Sequence, residues 1–307
     1  MKGYTLMLST LFKAKPIIDE ESKEWIFDTF AWCIDQLDGD FFHNNSELIL
    51  PNNSFYPGSS SSVEEMAESI FTNTLKYTGM TSWPIKLMPL QNFTQKPMPR
   101  LSFESTLRGE SAKINASISD HESSHVNREV SYKVEGEEVV PTIDIAFHAS
   151  QLNQPQDLIA YLVQRQAGIL VNQNGANTST NTSGISTSGI STSGVPGGNE
   201  VLAQTIDLVA CFMGFGVIFA NTAYQFKGGC GSCNDRSLNR QPALPELETV
   251  YALALFSVMK GVDIKPIKKE LKSHLYKPFR QAHKEITRYL QQTTNPEHTP
   301  LIAASKL

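Results

Sequence analysis

The string His121-Glu122-Ser123-Ser124-His125 sets two histidines four residues apart, with a glutamate beside the first. On a helix that spacing turns both imidazoles to one face, where they bind zinc next to a carboxylate that serves as general base. The chemistry would be metal-dependent hydrolysis, with His121 and His125 as ligands, Glu122 as base, and Glu129 or another acid completing the site. The flanking residues oppose it. Ser119, Asp120, Ser123, Ser124, Asn127 and Arg128 leave only Val126 and Val130 to pack a helix, and Ile114, Ala116 and Ile118 alternate as in a strand. The expectation is a polar loop or short exposed helix, with the zinc hydrolase as the alternative.

Cys230-Gly231-Ser232-Cys233 is the second candidate: half a zinc site, a thiol redox pair, or neither. Four sulfurs would require Cys33 and Cys211 to converge on it from apolar helical segments. Gly228, Gly229 and Gly231 put the pair in an exposed loop, whereas a thioredoxin-like pair follows a strand and opens a helix. Dinucleotide fingerprint, Walker loop and Gly-x-Ser-x-Gly elbow are absent from the sequence. His148 stands alone and reads as a packed or hydrogen-bonded side chain. No catalytic residue is assigned and no cofactor is expected; zinc is the metal that either motif would take.

The third candidate is a surface. The 307-residue chain carries a net charge of −5, which argues against a molecule attracting nucleic acid over its whole surface. Between Lys260 and Arg288, however, nine basic residues face only Asp263, Glu270 and Glu285, so this segment is +6 and the remainder −11. Lys265, Lys268, Lys269, Lys272, Lys277, Arg280, Lys284 and Arg288 are therefore the expected partner-binding residues. The partner expected is another protein, with nucleic acid as the alternative. Four cysteines in 307 residues make no disulfide scaffold, and Met1–Lys15 lacks a cleavage site, so a cytoplasmic location is expected.

The elements that would position these residues follow from periodicity. Trp25, Ile26, Phe30, Cys33, Ile34 and Leu37 form one stripe of a helix over Glu21–Leu37, with Gly39 as its stop. Ser62 and Glu65 make a capping box for a second helix reaching Tyr77. Trp83–Leu90, Pro99–Leu107, Ala112–Ser119, Ser131–Val134 and Val139–Phe147 read as strands of an antiparallel sheet, with Glu135-Gly136-Glu137 as a hairpin turn. Pro155 opens a further helix. Three more are expected at Glu200–Gln225, Pro245–Lys260 and Pro266–Gln291, the last bent near Pro278.

The fold class expected is α+β, helix-dominated, with a small antiparallel sheet in the middle third packed against several helices. Residues 1–171 hold the first helices, the sheet and the first core helix. Residues 172–199 collapse to Ser, Thr, Asn and Gly and form a flexible insertion. Residues 200–292 add helices to the same core, and 293–307 form a tail. The 13 apolar residues Leu208–Ala220 fall short of the roughly 20 needed to cross a bilayer, so a buried central helix and no membrane span are expected.

Three segments, Trp25–Trp32, Met213–Asn221 and Tyr251–Phe256, resemble an uncharacterised family of bacterial proteins, which implies a bacterial source and no particular activity. The order of a strand ending near Phe147, the Leu158–Val163 helix opening and a second helix bearing Asp207 is similar to the core of gluzincin-type zinc peptidases. That resemblance implies a metallopeptidase-like scaffold. The positions where the family carries its ligands and base hold Gln164, Arg165 and Gly168 here, so it also implies that the zinc chemistry is lost.

Overall fold

Asp19 starts the first helix by accepting the Ser22 amide at 2.8 Å, and α1 runs Glu20–Gln36 with Ile26, Phe27, Phe30 and Cys33 inward. The computed structural model describes residues 16–58, 61–117, 133–134, 137–138, 141–178, 194–223 and 239–305. Gly39, expected to stop the first helix, instead begins a short second one, α2 (Gly39–Asn44). The reversal is made by Asp38 at φ +77°, whose carboxylate accepts the amides of Phe41 and Arg108, both at 3.2 Å. An aspartate tolerates the left-handed region because its side chain satisfies local donors. Helix α3 (Val63–Thr78) is capped by Ser62 as expected, but Glu65 reaches back to Ser61, not Ser62.

The sheet differs from expectation. Strands β1 (Ile85–Pro89), β2 (Arg100–Phe103), β3 (Ile114–Ser117), β4 (Lys133–Val134), β5 (Glu137–Glu138) and β6 (Ile143–Phe147) form three separate pairs. Two are antiparallel, β2 with β3 and β4 with β5, but β1 and β6 pair in parallel, from Ile85↔Ile143 to Pro89↔Phe147. Ile143, Ile145, Ala146 and Phe147 are buried, the near-continuous burial expected of a parallel strand covered by helices. Alternation predicts a strand but not its partner, and a parallel partner lies far away in sequence.

Pro155 is the first residue of α4 (Pro155–Thr178). The apolar run that follows Asn199 is divided into α5 (Leu202–Ala210), a π-turn at Cys211–Phe215, and α6 (Gly216–Thr222). The expected uninterrupted helix is broken at Gly214, φ +100°, where the extended segment Ser46–Leu50 crosses it. A Cβ at Gly214 would collide with the Glu47 carbonyl, and the Gly214 carbonyl accepts the Ile49 amide at 2.9 Å. By length and composition Asn199–Thr222 is apolar enough to cross a bilayer, longer than the 13 residues counted above, but it lies mostly buried at the centre of the fold.

Helix α7 (Glu246–Met259) packs beside it with every residue from Thr249 to Met259 buried. The expected last helix is two: α8 (Ile264–Glu270) and α9 (Ser273–Gln292). The break falls at Leu271–Lys272, whereas Pro278 lies inside α9. Asn221, at the end of α6, fixes the break: its amide donates to the Glu270 carbonyl at 2.8 Å and its oxygen accepts the Lys272 amide at 2.9 Å. A short α10 (Thr299–Ala304) closes the chain. One hydrophobic cluster collects side chains from Ile18 to Leu301.

Candidate functional site

His121, Glu122, His125 and Glu129 lie outside the described residues, as do Cys230 and Cys233. The other two cysteines, Cys33 and Cys211, are free and fully buried, and burial pushes both thiols far up, which leaves them inert small hydrophobes. Among the described residues no three of His, Cys, Asp and Glu gather as a metal-holding group. His148 caps the turn after β6: its Nδ1 accepts the Ser150 amide at 3.2 Å and lies 2.7 Å from the Ser150 hydroxyl.

The positions compared with a peptidase scaffold do meet one acidic residue. Gln164 on α4 donates Nε2 to Asp207 Oδ1 at 2.8 Å and to the Gln241 carbonyl at 2.9 Å, while its oxygen accepts the Gln241 amide at 3.1 Å. Asp207 Oδ2 accepts Arg240 Nη2 at 3.0 Å and the amides of Ala243 and Leu244 at 2.9 and 3.1 Å. Arg240 donates Nη1 to the Phe219 carbonyl and to Thr222 Oγ1, with its guanidinium 3.9 Å from the Phe219 ring centroid. Both charged side chains are fully out of water. A carboxylate held by three neutral donors and a guanidinium, wholly out of water, is out of reach of a substrate. The cluster ties α4, α5, α6 and the approach to α7 together, and it is structural.

Sequence reasoning missed Arg240, and also Arg108, a second buried arginine. Arg108 donates Nε to the Leu37 carbonyl at 3.0 Å and Nη2 to the Asp38 carbonyl at 3.2 Å, bonding carbonyls at the end of α1, with its guanidinium over Phe41 and Phe212. Burial lowers it to about 10, against the pull of Asp38. Near the C-terminus, His298 joins Tyr289 Oη at 2.8 Å and Asp28 at 3.2 Å, which fastens the last turns to α1. No motif marks any of these; each is a lone polar residue that burial has paired.

The basic surface is the candidate that the described structure contains in full. Lys265, Lys268, Lys269, Lys272, Lys277, Arg280, Lys284 and Arg288 are all exposed. On α9 the buried residues are Leu275, Phe279, Ala282, Ile286 and Leu290, and Lys277, Arg280, Lys284 and Arg288 recur on the opposite face. At 1.5 Å per residue they make a stripe about 16 Å long. The three acids of the segment are all turned to other tasks. Asp263 accepts the Lys265 amide at the start of α8, Glu270 accepts from Asn52, and Glu285 pairs with Lys23 at 2.6 Å and accepts from Tyr251. Among the described residues none of the eight cations lies within ion-pair distance of a carboxylate, though the charge of Lys272 acts on the half-buried Asp157.

Compared with known protein families, with characterised proteins and with solved structures, the chain matches none of them.

Proposed function

We propose that this is a non-catalytic binding protein that takes an anionic partner on the basic face of α8 and α9. One observation carries the reading: eight exposed cations are gathered on two consecutive helices and, at Lys272, the break between them, while the acids of the same segment make hydrogen bonds or ion pairs of their own. A cationic surface with no ion pairs of its own, in a chain of net charge −5, is one that an anionic partner can neutralise. The non-catalytic part of the reading is supported by Gln164, Arg165 and Gly168, residue types unable to generate a metal hydroxide, and by an Asp207 that is fully buried against Arg240.

The test is chemical cross-linking in the cells that make the protein, with adducts located by mass spectrometry. Adducts should fall on residues 265–288 and disappear when Lys277, Arg280, Lys284 and Arg288 are each changed to Glu, with the melting temperature kept. Adducts concentrated on α1 or α3, and indifferent to that change, would defeat the proposal.

A further inference from the structure

We infer that the partner of this face is double-stranded nucleic acid, bound with Lys277, Arg280, Lys284 and Arg288 of α9 against its phosphates; the inference rests on the binding-surface reading above. It follows from what stands between the cations. The other exposed residues of α9 are Ser273, His274, Gln291 and Gln292, all neutral hydrogen-bonding types, with His274 set 3.1 Å from Glu246. The one carboxylate of α9, Glu285, is only partly exposed and is engaged by Lys23 and Tyr251. The described large apolar side chains that are exposed are Val63, Met98 and Leu247, none of them on α8 or α9.

That composition separates the classes of anionic partner. A protein interface needs aromatic or aliphatic anchors in a core depleted of charge, and this face offers none. A helix lying on a bilayer buries an apolar face in the lipid, and the apolar face of α9 is already buried against the protein. Interfaces with nucleic acid are polar and strongly positive, and half or more of their hydrogen bonds go to phosphate and sugar.

Geometry then favours a duplex over a single strand. Single strands are held by stacking bases on open aromatic rings. Tyr276, the aromatic nearest the stripe, has Lys268 and Arg280 over its ring at 5.7 and 6.0 Å, so it is not an open platform. A cationic stripe of about 16 Å on a helix of about 10–12 Å diameter matches a major groove about 12 Å wide. The helix is also held ready. Its inner face is packed in the core and its start is fixed by Asn221, so little freedom is lost on docking.

Fluorescence anisotropy with the full chain decides it. The probes are a labelled mixed-sequence DNA duplex of about 20 base pairs, one of its strands alone, polyglutamate, and phosphatidylserine vesicles. The duplex should bind best, with log K falling about 3.6 units per decade of salt for four phosphates, or roughly 10²-fold between about 50 and 200 mM. K277Q/R280Q/K284Q/R288Q should abolish duplex binding, and R280Q alone should reduce the salt slope by about one unit. Binding of polyglutamate or vesicles through the stripe, with none of the duplex, would overturn this inference and leave the anionic-partner reading intact. Tighter binding of the single strand than of the duplex would also overturn it. If no probe binds at low salt, both readings fail.

Discussion

A carboxylate and a guanidinium taken wholly out of water hold a fold together only while both are present. Asp207 and Arg240 form such a pair, each also bonded to neutral donors or acceptors from α4, α6 and the segment before α7. Arg240→Met leaves Asp207 buried beside an apolar chain, and should cost about 3–5 kcal/mol in urea denaturation. Asp207→Asn added to it removes the orphaned charge, so the double variant should lose less than the two single losses combined. Equal, additive losses would show that the pair is not coupled. At this scale the sequence was half legible. The eight exposed cations could be read from their crowding, but nothing in the local pattern distinguished Arg240 or Arg108 from a surface arginine, because only the fold supplies the carbonyls and carboxylates they meet.

Elements are legible in the sequence where a local cause makes them and hidden where a distant segment does. Asp19, Ser62 and Pro155 start their helices by capping or by a preset φ, all written within a few residues. The parallel pairing of β1 with β6, the kink at Gly214 and the break before α9 each depend on chain far away: Ile143–Phe147, Glu47–Ile49 and Asn221. Gly214→Ala forces a Cβ into the Glu47 carbonyl at a positive φ, and should destabilise by about 2–5 kcal/mol. Gly168→Ala is the control: within α4 its Cβ would meet only Ile206 Cδ1 at 3.6 Å, so thermal unfolding should show no loss or a gain of about 0.5–1 kcal/mol. Asn221→Ala removes both hydrogen bonds that hold Glu270–Lys272. Hydrogen exchange at the Lys272 amide should then accelerate while the α7 amides stay protected; unchanged protection at Lys272 would mean that the turn is held by packing alone.

Over the whole molecule, charge is divided: +6 on one segment and −11 on the rest. The fold leaves eight of that segment's nine cations exposed, turns Lys260 to the Phe42 and His43 carbonyls, and uses the acids for capping, for a bond to Asn52 and for an inner ion pair. Because these four side chains are exposed and form no ion pair among the described residues, changing Lys277, Arg280, Lys284 and Arg288 to Glu should alter stability by no more than about 0.5 kcal/mol. A larger loss would make the stripe part of the fold's own support. The most direct measurement is retention on an immobilised sulfated polyanion at neutral pH, where a protein of net charge −5 binds only if its cations are concentrated on one face. The account predicts that the wild-type chain is retained and released by salt, and that the four-Glu variant flows through with its fold unchanged. A wild-type chain that flows through, or a variant retained equally well, would contradict it.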